Sequence, residues 1–504
     1  MNYQPDLESV RAMAAEGESN LTPIFADVQA DLETPVSAFL KVARGDYSFL
    51  LESVEGGERL ARYSFIGTEP YRVIKNGPYA DLSEGSDPLR EVEKELSRYR
   101  LSHPRDNEAR AALPRFTGGA VGFLAYDVIR HFEPRVQIPE TDTLGLPESL
   151  FMFVDSLLVF DHLQHTIKVV AHCRLDGDIE TSYRQACWRI DELSRRLSQT
   201  LPASPYPVEP PSHVVEEVRS SVGKDRYIEN VERGKEYIVA GDFIQVVPSQ
   251  RLSRRTTAHP LSVYRALRTV NPSPYMYYLS MEDSQIIGAS PEMLVRVEDG
   301  VVETHPIAGT RPRGRDQAED EALERELSSD EKERAEHLML VDLGRNDIGR
   351  VSEPGTVEVG DFMVVERYSH VMHLVSRVTG KLRSDLTTYD ALRACFPAGT
   401  VSGAPKIRAM EVISELEPDR RGPYAGAVGY IDFSGNMDTC ITIRTAVMKD
   451  GVATVQAGGG VVFDSVPEAE FEESLNKARS MLVAIDKAES MEEDGVVDSG
   501  SLGY

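Results

Sequence analysis

Residues Val455–Ala478 read VQAGGGVVFDSVPEAEFEESLNKA, a glycine triplet followed closely by four glutamates within six residues, Glu468 to Glu473. The triplet Gly458, Gly459 and Gly460 ends an apolar run, and bare backbone N–H groups there can approach an anion. Ser465-Val466-Pro467-Glu468 has the spacing of a capping box, with proline in a first turn where its missing N–H is tolerated, so a helix is expected to begin near Val466. At about 100° per residue, Phe471, Leu475, Ala478, Leu482 and Ile485 fall on one apolar stripe. Glu470, Glu473 and Lys477 gather on its flank, while Glu472 points into solvent. A second segment, SSDEKERAEHLMLVDLGRND, opens with a similar box at Ser328 to Glu331 and repeats the ExxE spacing in Glu333 and Glu336. Two carboxylate pairs on two helices can then face each other. In a chain this acidic ExxE also occurs at Glu229/Glu232 and Glu321/Glu324, so spacing alone favours a solvated face. The adjacent glycines shift the balance, because an anion beside carboxylates needs a cation between them. Mg²⁺ suits such a site: it takes oxygen ligands, keeps several waters and is held by one or two carboxylates plus anionic groups of the substrate. Cysteine- and histidine-rich spacing for a transition metal is absent.

The whole chain sets limits on partners. Its 504 residues carry 55 Lys+Arg against 82 Asp+Glu, a net charge of −27, which disfavours a sequence-independent grip on nucleic acid or an anionic bilayer. Small molecules or proteins are the expected partners. No apolar run of about 18 residues suggests a membrane span. The start, MNYQPDLESVRAMAAEG, has no basic and apolar leader, and Cys173, Cys187, Cys395 and Cys440 show no CxxC spacing. These features predict a cytoplasmic protein with reduced, structural thiols.

A proline-rich stretch, QTLPASPYPVEPPS at Gln199 to Ser212, reads as an extended linker. It divides the chain into an N-terminal part (1–200), a linker (201–217), a larger C-terminal part (218–488) and an acidic tail (489–504) expected to be disordered. Short β-rich runs such as DYSFLLES, RYSFIG and ESLFMFVDSLLVF mix with helical stretches such as SYRQACWRIDELSRRL. Neither half has the regular strand and helix alternation or the GxGxxG fingerprint of a doubly wound parallel sheet. The fold class is therefore α+β, with largely antiparallel sheets.

Further segments carry anion-binding signals. PIAGTRPRG (Pro306 to Gly314) joins a Gly-Thr turn to basic residues, FPAGTVSGAPK (Phe396 to Lys406) is a glycine-rich turn with hydroxyls, and RGPYAGAVGYIDF leads to DTCITIRTA with Arg444. Each alone reads more readily as a structural loop. His373, in YSHVMHLVS, sits in an apolar context where a packed histidine is commoner than a catalyst.

Taken in order, GDFIQVVPSQR, NPSPYMYYL, GASPEMLVR, PIAGTRPRG, EHLMLVDLGRND, RYSHVMHLVSRV, FPAGTVSGAPKIRAMEVI, GAVGYIDF, DTCITIRTA and the opening stretch resemble the chorismate-utilising enzymes. Within them the likeness is to the anthranilate-forming branch. It spans most of residues 224 to 480 and extends into the first half through LLES at Leu50 to Ser53, RYSFIG and GGAVGFLAYDVIR. The resemblance implies a sandwich of antiparallel sheets with outer helices. It also implies that Glu336 and Glu473 ligate Mg²⁺, with Glu333 and Glu470 beside them.

Chorismate is a dicarboxylate, and burying either carboxylate unpaired in an acidic protein would be prohibitive. By resemblance, Mg²⁺, the N–H groups of Gly458, Gly459 and Gly460, and Lys477 take the ring carboxylate. Arg444 with the Tyr424 hydroxyl takes the enolpyruvyl carboxylate, and Gly309 and Thr310 complete the cradle. Glu292 matches the family's general acid, which requires a raised pKa. His373 and Thr400 are placed near the ring. Water-adding relatives have a lysine base where this chain has Gln245, and the para-aminobenzoate branch has a nucleophilic lysine where this chain has Ala308. Ammonia carries its own lone pair and needs no such base, so amination at C2 with loss of pyruvate is implied. No cysteine lies in a GxCxG-type turn, so a separate glutamine amidotransferase subunit is implied as the ammonia source.

Two alternative functions are compatible with parts of the same pattern. An enzyme stopping at 2-amino-2-deoxyisochorismate would give neither pyruvate nor anthranilate, and LLES argues against it. A non-catalytic sensor of Mg²⁺ and a carboxylate metabolite would show no turnover, and Glu292, His373 and both ExxE pairs argue against that. The resemblance further implies feedback inhibition by L-tryptophan, bound by Glu52, Ser53, Pro274, Tyr275 and Met276.

Overall fold

A computed structural model describes residues 1–53, 62–79, 87–102, 113–201, 217–368 and 371–501, with side chains up to residue 492. Among these residues two large antiparallel sheets form the body of the fold. The run ESLFMFVDSLLVF shows why they stack. It forms strands Ser149–Val154 and Ser156–Asp161, buried at every position. Leu150, Met152, Val154, Leu157 and Val159 fill the space between the sheets. Phe151 and Phe153 turn to the opposite face of one sheet, and Leu158 and Phe160 to the opposite face of the other, where helices cover them. With both faces covered, the strands read as continuous apolar runs and not as alternating ones. The α+β sandwich with outer helices expected from the sequence is the observed architecture.

The first sheet has eleven strands among the described residues, and across it stand in order, with others between and beyond them, Leu21–Gln29, Tyr63–Thr68, Ser48–Glu52, Tyr275–Met281, Ser284–Ser290, Thr445–Lys449, Val452–Gly458 and Ser249–Arg255. Sequence halves join in it where Glu52 pairs with Met276. The second sheet, of nine strands, is joined likewise where Leu124 pairs with Ala427. Both sheets are thus continuous across the proline-rich seam, of which residues 202–216 lie outside the described residues. A small third sheet of strands Ile307–Pro312, Val364–Arg367 and Val371–Val375 stands apart from both.

Three local expectations need correction. The last helix spans Pro467–Ser501, but its cap is Val466, whose carbonyl accepts from the Glu470 N–H at 3.1 Å. The Ser465 hydroxyl instead donates to Glu470 at 2.7 Å, so the box with Glu468 does not form. Ser328 lies inside helix Gln317–Ser329, and the helix Glu331–Gly349 is capped by Asp330, which accepts from the N–H groups of Lys332 and Glu333 at 3.0 and 3.1 Å. The acidic segment from residue 489, expected to be disordered, continues the last helix to Ser501. Its first residues are anchored: Arg254 pairs with Asp486 at 2.6 Å and Glu489 at 2.8 Å, and the His259 N–H donates to Glu492 at 3.0 Å. Among the described residues no helix is long and apolar enough to cross a membrane.

Candidate active site

A cleft of about 430 Å³ opens where the small sheet, the two glutamate-bearing helices and the ends of both large sheets converge. Its walls bring together Glu292, Ala308, Gly309, Thr310, Glu333, Glu336, His373, Thr400, Tyr424, Arg444, Gly458, Glu473 and Lys477, residues drawn from segments far apart in the chain. Gln245, Gly459, Gly460 and Glu470 lie just behind that wall: the amide of Gln245 is 3.3 Å from where a Cβ on Gly460 would stand.

Glu292 precedes strand Met293–Glu298 and is only 7% exposed. Burial pushes its carboxyl up to about 8, against the opposing pull of the Thr400 hydroxyl, Arg444 and Lys477. The Thr400 hydroxyl donates to Glu292 Oε1 at 2.8 Å and fixes its direction. Arg444 occupies the link between strands Met437–Ile441 and Thr445–Lys449 with φ of +49°, a left-handed conformation that a non-glycine residue adopts at a cost. Burial lowers its pKa, yet a guanidinium remains a cation across the physiological range. A protonatable acid and a fixed cation thus share one wall.

His373, on the small sheet, places Nδ1 3.0 Å from the Gly309 carbonyl and 3.0 Å from the Thr310 hydroxyl. A carbonyl can only accept, so the proton sits on Nδ1 and Nε2 is left basic. Burial lowers the imidazole pKa, keeping the ring neutral. Gly309 itself has φ of +65°, and a Cβ there would meet Leu327 at 2.9 Å.

The glycine turn is partly spoken for. The Gly459 N–H donates to the Tyr227 hydroxyl at 3.2 Å, which corrects the expectation that all three N–H groups face an anion. A Cβ on Gly459 would stand 2.5 Å from Glu470 Oε2, so only glycine lets that carboxylate close in. Lys477 donates to the Gly458 carbonyl at 3.1 Å and pairs with Glu473 at 2.8 Å.

The two ExxE pairs do converge. Glu333, Glu336 and Glu473 border the cleft. Glu470 adjoins them with a buried Oε2 that has no partner among the described residues. Glu336 touches water through the open cleft, but enclosing protein, then the nearby Glu333 and Glu473, raise its pKa. Burial also raises that of Glu470. No three of these carboxylates, nor any other three His, Cys, Asp or Glu among the described residues, stand close enough to form a preassembled metal cage. An all-oxygen donor set with one orphaned oxygen fits a hard dication shared with an anionic ligand. The other ExxE pairs are elsewhere engaged, Glu229 with Arg226 and Glu324 with Arg367.

Sequence reading missed Arg421, which underlies the floor of the cleft. It is 2% exposed, bonds Glu417 at 2.6 and 2.8 Å, donates to the carbonyls of Val247 and Val401 at 2.7 and 2.8 Å, and lies over the Tyr424 ring. Its signal was an arginine four residues after a glutamate, just ahead of Gly-Pro.

A second, smaller cavity of about 80 Å³ lies between the large sheets and is bordered by Glu52, Ser53, Pro274, Tyr275 and Met276. Strand alternation splits this set. Glu52 turns to the helix side, where Tyr264 donates to it at 2.5 Å and Arg268 pairs with it at 3.1 Å, and Met276 packs on that same side. The Glu52 carboxylate, expected among the tryptophan contacts, is therefore taken by Tyr264 and Arg268 on the far face of its strand. Ser53 offers a buried hydroxyl with no partner among the described residues, and Asp438, held by Tyr275 and Arg296 at 2.9 and 2.8 Å, supplies the carboxylate that borders the cavity.

Residues 47–483 match the chorismate binding enzyme family, and the chain belongs to that family. It is 50% identical over 501 residues to anthranilate synthase component 1 of Acetivibrio thermocellus, covering 96% of this chain and 99% of the relative. It is 48% identical over 494 residues to anthranilate synthase component 1 of Pseudomonas aeruginosa, covering 96% and 99% respectively. The crystal structure of anthranilate synthase component I from Streptococcus pneumoniae superposes with a TM-score of 0.74 at 39% identity, over 90% of this chain and 98% of that one.

Proposed function

We propose that this chain is the chorismate-converting component of an anthranilate synthase. It adds ammonia at C2 of chorismate as the C4 hydroxyl leaves as water, then eliminates pyruvate to form anthranilate. The observation that carries this reading is Glu292: a buried carboxyl with its pKa pushed up to about 8, bonded by Thr400 and sharing a cleft with Arg444. A hydroxyl leaves readily only when protonated, and a carboxyl still neutral at pH 7 can deliver that proton. Arg444 and the Tyr424 hydroxyl suit one substrate carboxylate, and Lys477 with the turn at Gly458 and Gly460 suits the other. The basic Nε2 of His373 can accept the proton that the ring loses as it becomes aromatic. Mg²⁺, when bound by Glu336 and Glu473 with Glu333 and Glu470 beside them, would supply positive charge against the ring carboxylate. Gln245 brings no base, as ammonia requires.

The ammonia is proposed to come from a glutamine amidotransferase partner, in keeping with the words component 1 in the relatives' names. Burial raises the pKa of all four thiols, Cys173, Cys187, Cys395 and Cys440, so none is a thiolate poised for glutamine hydrolysis. Four free cysteines also suit the cytoplasm. With chorismate and MgCl₂ the purified chain should turn over with an ammonium salt and not with glutamine; turnover with glutamine alone would remove the need for a partner.

Regulation by L-tryptophan is proposed at the cavity between the sheets, with Ser53 and Asp438 facing the ammonium group and Pro274 and Tyr275 the indole. The cavity straddles the junction of strands Ser48–Glu52 and Tyr275–Met281, so a ligand there can bias how the sequence halves pack and weaken chorismate binding reciprocally. Ser53→Phe fills the cavity and should leave the ammonium-dependent reaction insensitive to millimolar tryptophan that inhibits the parent. Equal inhibition of both proteins would move the site elsewhere.

A further inference from the structure

The basic residues of PIAGTRPRG are not the anion handles that the sequence suggested. Arg313 pairs with both oxygens of Asp320, at 3.0 and 2.8 Å, and donates to the Tyr368 carbonyl at 2.6 Å. Arg311 spans three acids: Glu326 at 2.8 Å, Asp330 at 2.9 Å and Glu333 at 3.2 Å. Asp330 caps the helix that carries Glu333 and Glu336. The other oxygen of Glu333, Oε2, rests against the strand, 3.1 Å from where a Cβ on Gly309 would stand. Glu333 is therefore held by Arg311 through Oε1, while Oε2 lies beside Gly309.

The remaining cleft carboxylates are freer. Glu336 has no ion pair within 4 Å among the described residues, and Glu473 pairs only with Lys477, where both side chains are about half exposed, at 49% and 46%. A pair so exposed is weak and yields easily, whereas Arg311 and Glu333 keep only 18% and 23% of their side-chain surface. Resting on the proposed reading of these carboxylates as a dication site, we infer that Arg311 is a positioning residue that sets which dication the cleft prefers. By occupying Glu333 it withholds one of the four carboxylates, leaving Glu336 and Glu473 on the cleft wall and the single free oxygen of Glu470 behind it. Mg²⁺ is satisfied by one or two carboxylates and retained water, while Ca²⁺ gathers six to eight oxygens and gains from each further carboxylate. Releasing Glu333 should tilt the site toward calcium.

The test is calorimetric titration of the full chain with MgCl₂ and, separately, with CaCl₂. Arg311→Gln should raise calcium affinity relative to magnesium by about tenfold, the scale on which groups behind metal ligands act. Arg311→Lys, which keeps the charge without the fork, should fall between it and the parent, and it carries the test should the glutamine variant not fold. Arg313→Gln breaks the neighbouring strand-to-helix tie without touching Glu333 and should leave the calcium-to-magnesium ratio as in the parent. A ratio unchanged in Arg311→Gln and Arg311→Lys, or shifted equally in Arg313→Gln, overturns the inference and leaves Arg311 a fastening of the helix. A parent that binds neither cation overturns the underlying dication reading instead.

Discussion

Glu292→Gln is expected to lower kcat/KM for chorismate by about 10²- to 10⁴-fold, the contribution of a positioned general acid. Glutamine preserves the shape and can still accept from Thr400, but it has no proton to give to the departing hydroxyl. The parent should show the matching pH dependence. With free ammonia held constant, kcat/KM falls as pH rises through about 8, where Glu292 ionises. Stability follows the same sign. In the unfolded chain the carboxyl ionises near 4.5 and in the fold near 8, so the stability tied to its neutral form is complete below 4.5 and is lost as pH rises through 8. Glutamine cannot ionise, so above pH 8 the variant should melt later than the parent, relative to their difference at pH 6. Parental kcat/KM in Glu292→Gln would remove the carboxyl from the chemistry.

Glu336→Gln and Glu473→Gln should each reduce turnover by about 100-fold or more and raise the MgCl₂ concentration needed for half-maximal rate, since direct ligands matter at least as much as the groups behind them. Glutamine is nearly isosteric with glutamate, so the loss reports the missing negative charge. Glu472→Gln, one residue away on the exposed face of the same helix, is the control and should match the parent. If all three variants behaved alike, the glutamates of the last helix would be a solvated face.

Much of the cleft was legible in the sequence because its residues sit in short strings with strong local constraints. The apolar stripe through Phe471, Ala478 and Ile485 fixed the buried face of the last helix, and with it the flank that carries Glu470, Glu473 and Lys477. The short β-rich runs pointed to antiparallel sheets, as observed. What stayed hidden depended on long-range pairing. Whether Glu52 faces the inter-sheet cavity or the helices follows from its register against Met276, more than 200 residues away along the chain, and a one-residue slip would reverse it. Arg311 and Arg313 looked like anion handles until their acids were seen in space, Arg421 drew no reading at all although it underlies the cleft, and Tyr227 gave no sign that its hydroxyl would claim the Gly459 N–H. The caps, by contrast, were decided by local competition, as with Ser465, drawn off by Glu470 five residues on.

The most direct test of the central claim is the product of the ammonium reaction. Purified chain with chorismate, MgCl₂ and an ammonium salt should yield anthranilate, followed by its fluorescence, and pyruvate, followed by lactate dehydrogenase, in equal amounts for each chorismate consumed. Consumption of chorismate with neither product, or with accumulation of 2-amino-2-deoxyisochorismate, would contradict the account.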